Sequence, residues 1–166
     1  MRILALDPGY DRCGIAVLER DEYGGEALIA SDCLTTNPKD AFEKRLVDIV
    51  ISLEQWITNH TPDICALETL FFTTNRKTAM RVAEVRGAII ATVCKQGLAL
   101  HEYGPGEIKV AITGDGRASK DQIMLMVPQL IRVEKDIRYD DEYDAIAVAL
   151  TASALLRGGV SNGLVE

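Results

Sequence analysis

The spacing between apolar runs constrains this chain most. Residues 2–7, 13–18 and 27–34 read as strands, and only turn-length links join them, marked by Pro8-Gly9 and Gly24-Gly25. Links that short suit an antiparallel meander. The two later strand-like runs, residues 63–68 and 98–103, each follow a helix-length segment. Crossovers of that length are what parallel pairing requires, so the order of elements predicts an α/β fold, a mixed sheet with helices on its faces. The first run hardly alternates, as expected of a strand buried on both sides.

The first helix is predicted over 38–59, with Asn37 as N-cap and Pro38 at the first helical position. Phe42, Leu46, Ile49, Val50, Leu53, Trp56 and Ile57 share one face, and Thr61-Pro62 ends it. A second helix, 76–96, stops at Gly97. Its last turns, 87–94, are apolar nearly all round, which leaves two readings open: a central core helix or a subunit interface. A short helix near 107–112 leads to the loop Gly114-Asp115-Gly116-Arg117. Ser119-Lys120-Asp121-Gln122 then has the form of a capping box and opens a helix that Pro128 is expected to end or kink. The last helix is predicted over 140–155. No linker divides the 166 residues, so 1–166 is read as one domain with a short tail from about residue 158.

The 25 acidic and 18 basic residues give a net charge of -7, which by itself argues mildly against a nucleic-acid partner. The distribution argues the other way. Residues 70–132 carry nine basic and five acidic side chains, a balance of +4 that leaves -11 to the rest, so one middle segment can face an anion. Cys13, Cys33, Cys65 and Cys94 lack metal-ligand spacing and lie in or beside apolar runs, as reduced packing residues do. The apolar stretch 87–94 is too short to span a bilayer, and Asp7 interrupts the N-terminal run early. The expectation is a cytoplasmic protein without a membrane partner.

Asp7 ends the first strand and Glu68 the fourth, where α/β sheets place their sites. A single acid at a strand end is usually a turn residue; two ending buried strands say more if the strands are neighbours. Asp141 and Asp144, spaced i, i+3 at the start of the last helix, share a face. Complementarity to the helix dipole explains them equally well, together with Asp140 and Glu142. Four carboxylates gathered from three elements would repel, at about 4 kcal/mol per pair for a separation of about 4 Å and an effective dielectric of about 20. Such a cluster requires protons or cations. All-oxygen ligands suit Mg²⁺ or Mn²⁺, and two such ions activate a water and stabilise the leaving oxygen of a phosphodiester. The basic middle segment would then hold the substrate's other phosphates.

These residues, in this order, resemble the RuvC family of Holliday-junction resolvases, members of the ribonuclease H-like nuclease superfamily. The resemblance runs from Met1 to about Ala154. It is carried by Leu6-Asp7-Pro8-Gly9 with Gly14, Ala66-Leu67-Glu68-Thr69-Leu70-Phe71, Val85-Arg86-Gly87-Ala88, Tyr103, Ile108-Lys109, the stretch Gly114-Asp115-Gly116-Arg117-Ala118-Ser119-Lys120, and Asp141-Glu142-Tyr143-Asp144-Ala145-Ile146-Ala147. It implies a five-stranded sheet with the first and fourth strands adjacent, and it puts the family's four metal-binding acids on Asp7, Glu68, Asp141 and Asp144. It also implies a metal-dependent endonuclease that nicks opposed strands of a four-way junction, leaving 5′-phosphate and 3′-hydroxyl ends, with Mg²⁺ or Mn²⁺, two per site. The partners implied are the DNA junction, a second copy of the chain docked through helix 76–96, and a branch-migration helicase. The chain departs from many relatives in Thr151-Ala152-Ser153, which lacks a basic residue, and in Asp115, an acid in the loop expected to approach DNA.

Among DNA contacts, Phe71 matches a family aromatic and would stack on an unpaired base. Lys109 and Lys120 match family lysines near the site, while Arg76, Lys77, Arg81 and Arg117 would touch phosphates. Two other readings stay open beside this one. One is a related ribonuclease H-like nuclease acting on RNA or another branched DNA. The other is an actin-like nucleotide-binding protein, which would need a second glycine-rich phosphate loop that this sequence lacks.

Overall fold

The computed structural model describes residues 1–69 and 76–157. Five strands, β1 (Arg2–Asp7), β2 (Arg12–Arg20), β3 (Glu26–Thr35), β4 (Ile64–Glu68) and β5 (Ala99–Tyr103), form one sheet in the order β3-β2-β1-β4-β5. The meander β1-β2-β3 is antiparallel, and β4 pairs in parallel with both β1 and β5. The mixed sheet and the adjacency of the first and fourth strands are therefore as expected.

Strand parity divides the core in two. Ile3, Ala5, Ala16, Leu18 and Ala66 face α5 (Asp140–Arg157), over which α3 (Pro105–Thr113) and α4 (Lys120–Leu130) pack. Leu4, Leu6, Ile15, Val17, Cys65 and Leu67 face Ile49, Leu53 and Ile57 of α1 (Phe42–His60) and Val85, Ile89 and Val93 of α2 (Arg76–Lys95). The central helix is α5, whose Ala145, Ala147, Ala149 and Ala152 are fully buried; small side chains let it lie close to the sheet with other helices on its back.

One sequence reading needs correction and three others are sharpened. The first helix starts at Phe42, not at 38, because the Asn37 side chain accepts from Lys39 N–H at 3.0 Å and its carbonyl accepts from Asp40 N–H, closing a turn where an N-cap was expected. Pro128 does not end its helix, which runs on to Leu130. The all-round apolar stretch of α2 is not a central helix: Val85, Ile89, Thr92 and Val93 are buried, while Ala83, Gly87, Ala91 and Cys94 face outward. Cys94 is thus exposed, whereas Cys13, Cys33 and Cys65 are buried, all four as free thiols. No helix of the described residues is long and apolar enough to cross a membrane.

Candidate active site

Parity also brings the acids together. Asp7 follows Ile3 and Ala5 on the α5 side of β1, and Glu68 follows Ala66 on the same side of β4. The parallel register pairs Leu6 with Leu67, so its next step sets Asp7 beside Glu68. On the other flank Asp7 pairs with Gly14. A Cβ on Gly14 would stand 1.9 Å from the Asp141 carbonyl oxygen and 3.1 Å from Ala145 Cβ. The missing side chain is what lets the first turn of α5 settle beside the end of β1, carrying Asp141 and Asp144 with it.

Asp7 and Glu68 are close enough for a proton held on Asp7 to favour the Glu68 carboxylate. Burial, then repulsion from Glu68, Asp144 and Asp141, raises the pKa of Asp7 well above the ordinary carboxylate range. Glu68 is raised by burial and by Asp144, and Asp141 and Asp144 are raised by burial. Asp140, next to them but paired to a lysine, moves down instead, because it accepts a hydrogen bond from Lys120. The four sequence-predicted acids thus share one environment, in which burial opposes their charge.

Two protein cations form ion pairs with this cluster. Lys120 Nζ lies 2.7 Å from both Asp140 Oδ2 and Asp144 Oδ2. Burial pulls the Lys120 pKa down, but its hydrogen bonds to Asp140 and Asp144 outweigh that and raise it overall. Arg12 Nε stands 3.0 Å from Asp141 Oδ2, and its guanidinium lies 5.4 Å from the Tyr139 ring centre. Among the described residues no three His, Cys, Asp or Glu side chains stand in a mutual arrangement that encloses an ion. The carboxylates are divided among the Asp7–Glu68 contact, Arg12 and Lys120. The donor set nonetheless fits a hard divalent cation: it is all oxygen, and Asp141 Oδ2 is buried and takes no hydrogen bond.

Glu68, Lys109, Lys120 and Asp144, with Pro105, Ile108 and Ile123, line a cavity of roughly 180 Å³. Lys109 and Lys120 therefore gather at the acids, and Lys120 opens α4, where Ser119 and Gln122 form the expected capping box. Arg117 is exposed on the preceding loop. Asp115 serves as a turn residue, its carboxylate accepting from Arg117 N–H at 2.9 Å. Arg81 stands apart from the acids, over the Phe42 ring at 3.9 Å and 3.2 Å from Glu84. Phe71 lies outside the described residues, as do the side chains of Arg76 and Lys77. Sequence reasoning missed Arg12 and Tyr139; the available signal was an arginine opening the strand that turns back onto Asp7. Glu142, read with the helix-dipole acids, is almost fully buried, accepts from Ser31 Oγ at 2.6 Å and forms an ion pair with Lys135 Nζ at 2.7 Å. It pins α5 to β3.

Residues 3–152 match a family model described as crossover junction endodeoxyribonuclease RuvC. A curated protein of that name from Paenarthrobacter aurescens is 34% identical over 151 residues, which cover 91% of this chain and 80% of the relative. The structure of Thermus thermophilus RuvC superposes with a TM-score of 0.85 at 27% identity, covering 96% of this chain and 97% of that one. T. thermophilus RuvC in complex with Holliday junction substrate gives 0.87 at 26% identity, covering 96% of each.

Proposed function

This chain belongs to the RuvC family of crossover junction endodeoxyribonucleases, and on that footing we propose that Asp7, Glu68, Asp141 and Asp144 form the divalent-metal site at which it nicks a four-way DNA junction. The family activity is a metal-dependent phosphodiester hydrolysis of Holliday junctions. One observation carries the site: the two strand-end acids face the first turn of α5, and burial raises the pKa of all four carboxylates. Mg²⁺ or Mn²⁺ there, two per site, would activate the attacking water and stabilise the leaving oxygen, giving 5′-phosphate and 3′-hydroxyl ends.

The side chains around the acids have separate tasks. Lys109 and Lys120 line the cavity beside Glu68 and Asp144 and hold the non-bridging phosphate oxygens. The N-terminus of α4 adds its partial positive charge on the same side. Arg117, with Arg76, Lys77 and Arg81, tracks the backbone on either flank. Phe71 follows β4 directly in sequence and stacks on a base at the junction centre. The α2 face of Ala83, Gly87, Ala91 and Cys94 joins two copies, so that two sites nick opposed strands. A branch-migration helicase would act alongside, and four free thiols suit the cytoplasm.

The deciding experiment is incubation with a synthetic four-way junction, a linear duplex and a flap, with and without Mg²⁺. Symmetric, Mg²⁺-dependent nicks confined to the junction are expected. Equal cleavage of the duplex, or cleavage that survives in either Asp7→Asn or Glu68→Gln, refutes the assignment.

A further inference from the structure

We propose that Arg12 is an internal counter-cation that competes with divalent metal for Asp141, so that filling the site requires Arg12 to release that carboxylate. The inference rests on the metal-site reading above and extends it by naming the residue of this chain that limits how tightly the site takes its ion.

The placement of Arg12 is forced. It opens β2 two residues before Gly14, where the Asp141 main chain is in close approach, so the start of β2 delivers a cation to the start of α5. The contact is nevertheless loosely made. Nε comes within 3.0 Å of Asp141 Oδ2, yet that oxygen takes no hydrogen bond, so the approach is off the donor axis and not the two-pronged pairing a guanidinium makes with a carboxylate when geometry allows. The second contact, to Asp140 Oδ1, is 3.5 Å long.

Arg45 shows the contrast. Its side chain is 8% exposed and tied to Thr36 Oγ1 at 2.8 Å, to the Tyr10 carbonyl at 2.9 Å and to Asp11, a structural guanidinium with nowhere to go. The Arg12 side chain is 44% exposed, and the Tyr139 ring and Asp140 can hold it when Asp141 is withdrawn. A fixed positive charge on one ligand oxygen weakens the binding of any further cation to that carboxylate, and removing the charge strengthens it.

The test is calorimetric titration of Mn²⁺ into metal-stripped protein. R12Q is expected to bind Mn²⁺ on the order of tenfold more tightly than the parent. R132Q removes the same charge from an exposed arginine paired with Glu134 and is expected to match the parent. D7N is expected to lose binding. R12Q binding as the parent does, or more weakly, overturns the proposal. If Mn²⁺ binding does not depend on Asp7, the metal-site reading falls and this inference with it. If binding depends on Asp7 but ignores Arg12, only the inference falls. A second readout needs no altered chain: the Arg12 Nε–Hε resonance, assigned by its loss in R12K, should shift and lose solvent protection as Mg²⁺ saturates the parent. A resonance unchanged at saturation overturns the proposal even if R12Q fails to fold.

Discussion

Asp7 concentrates the tension of the site in one side chain. It is half-buried, it faces three other acids, and desolvation and their repulsion raise its pKa in the fold above the ordinary value of 3.8. A group raised on folding contributes stability that is fully present below its unfolded pKa and is lost as pH climbs through the folded one. Metal-stripped protein should therefore melt at higher temperature as pH falls from neutral through the raised value toward 3.8. Asp140, lowered by Lys120, works in the opposite sense and loses its contribution only at more acid pH. Asp7→Asn removes the crowded charge. We expect it to abolish Mg²⁺-dependent cleavage and to raise the melting temperature of the stripped protein at neutral pH by about 2–4 °C, the response of a chain this size to about 1 kcal/mol. It should also lose most of the acid-side gain. Calorimetric melts of both proteins across pH check this, and a D7N protein less stable than the parent at neutral pH would mean that Asp7 is not repelled by its neighbours. Junction binding should survive or tighten in D7N, since less negative charge faces the phosphates.

At the scale of elements, the close approach of α5 to β2 decides whether the acids meet. Gly14→Ala puts a methyl group 1.9 Å from a backbone oxygen, which no rotamer relieves, so the start of α5 must move. Overpacking of this kind typically costs about 1–3 kcal/mol. Cleavage should fall further than stability, because Asp141 and Asp144 travel with the helix while Asp7 and Glu68 stay with the sheet. Denaturant melts and junction cleavage measured together test this; parent-like values in both would show that the contact yields freely. The same elements show how far the sequence could be read. Buried strands stopped by an acid are visible because an unbroken apolar run and the charge that ends it are local signals, and so is the capping box Ser119–Gln122. The start of α1 was not, because Asn37 can close a turn as readily as it can cap a helix, and the tertiary setting chose the turn. Which face of α2 is covered was hidden as well, since Ala and Gly carry too little hydropathy to tell a packed side from an open one. Arg12 could not be paired from sequence at all: Asp141 is remote along the chain, and only the sheet register and Gly14 bring the two together.

For the whole molecule, the proposal of paired nicks raises the question of how one set of four acids per chain would give two cuts. The single chain leaves Ala83, Gly87, Ala91 and Cys94 of α2 exposed, with Met80 one turn before them at 65% exposure. Beside so small a stripe, a second helix can approach closely, and a net charge of -7 has to be held apart from that contact. Gly87 offers a clean probe, because a Cβ built there meets nothing within 4 Å. Gly87→Glu should leave the subunit as stable as before, or slightly more so, since glycine inside a helix costs about 1 kcal/mol relative to ordinary residues. Any effect then falls on association alone. Sedimentation at micromolar concentration should show the parent as a dimer and Gly87→Glu as a monomer with unchanged secondary structure. On a plasmid that extrudes a cruciform, the parent should give linear product from paired nicks, and the variant should stop at the nicked circle, because each monomer carries a complete set of four acids but only one. A Gly87→Glu protein that stays dimeric would move the interface off α2. A monomer that still linearises the plasmid would show that pairing of the nicks does not depend on a standing dimer.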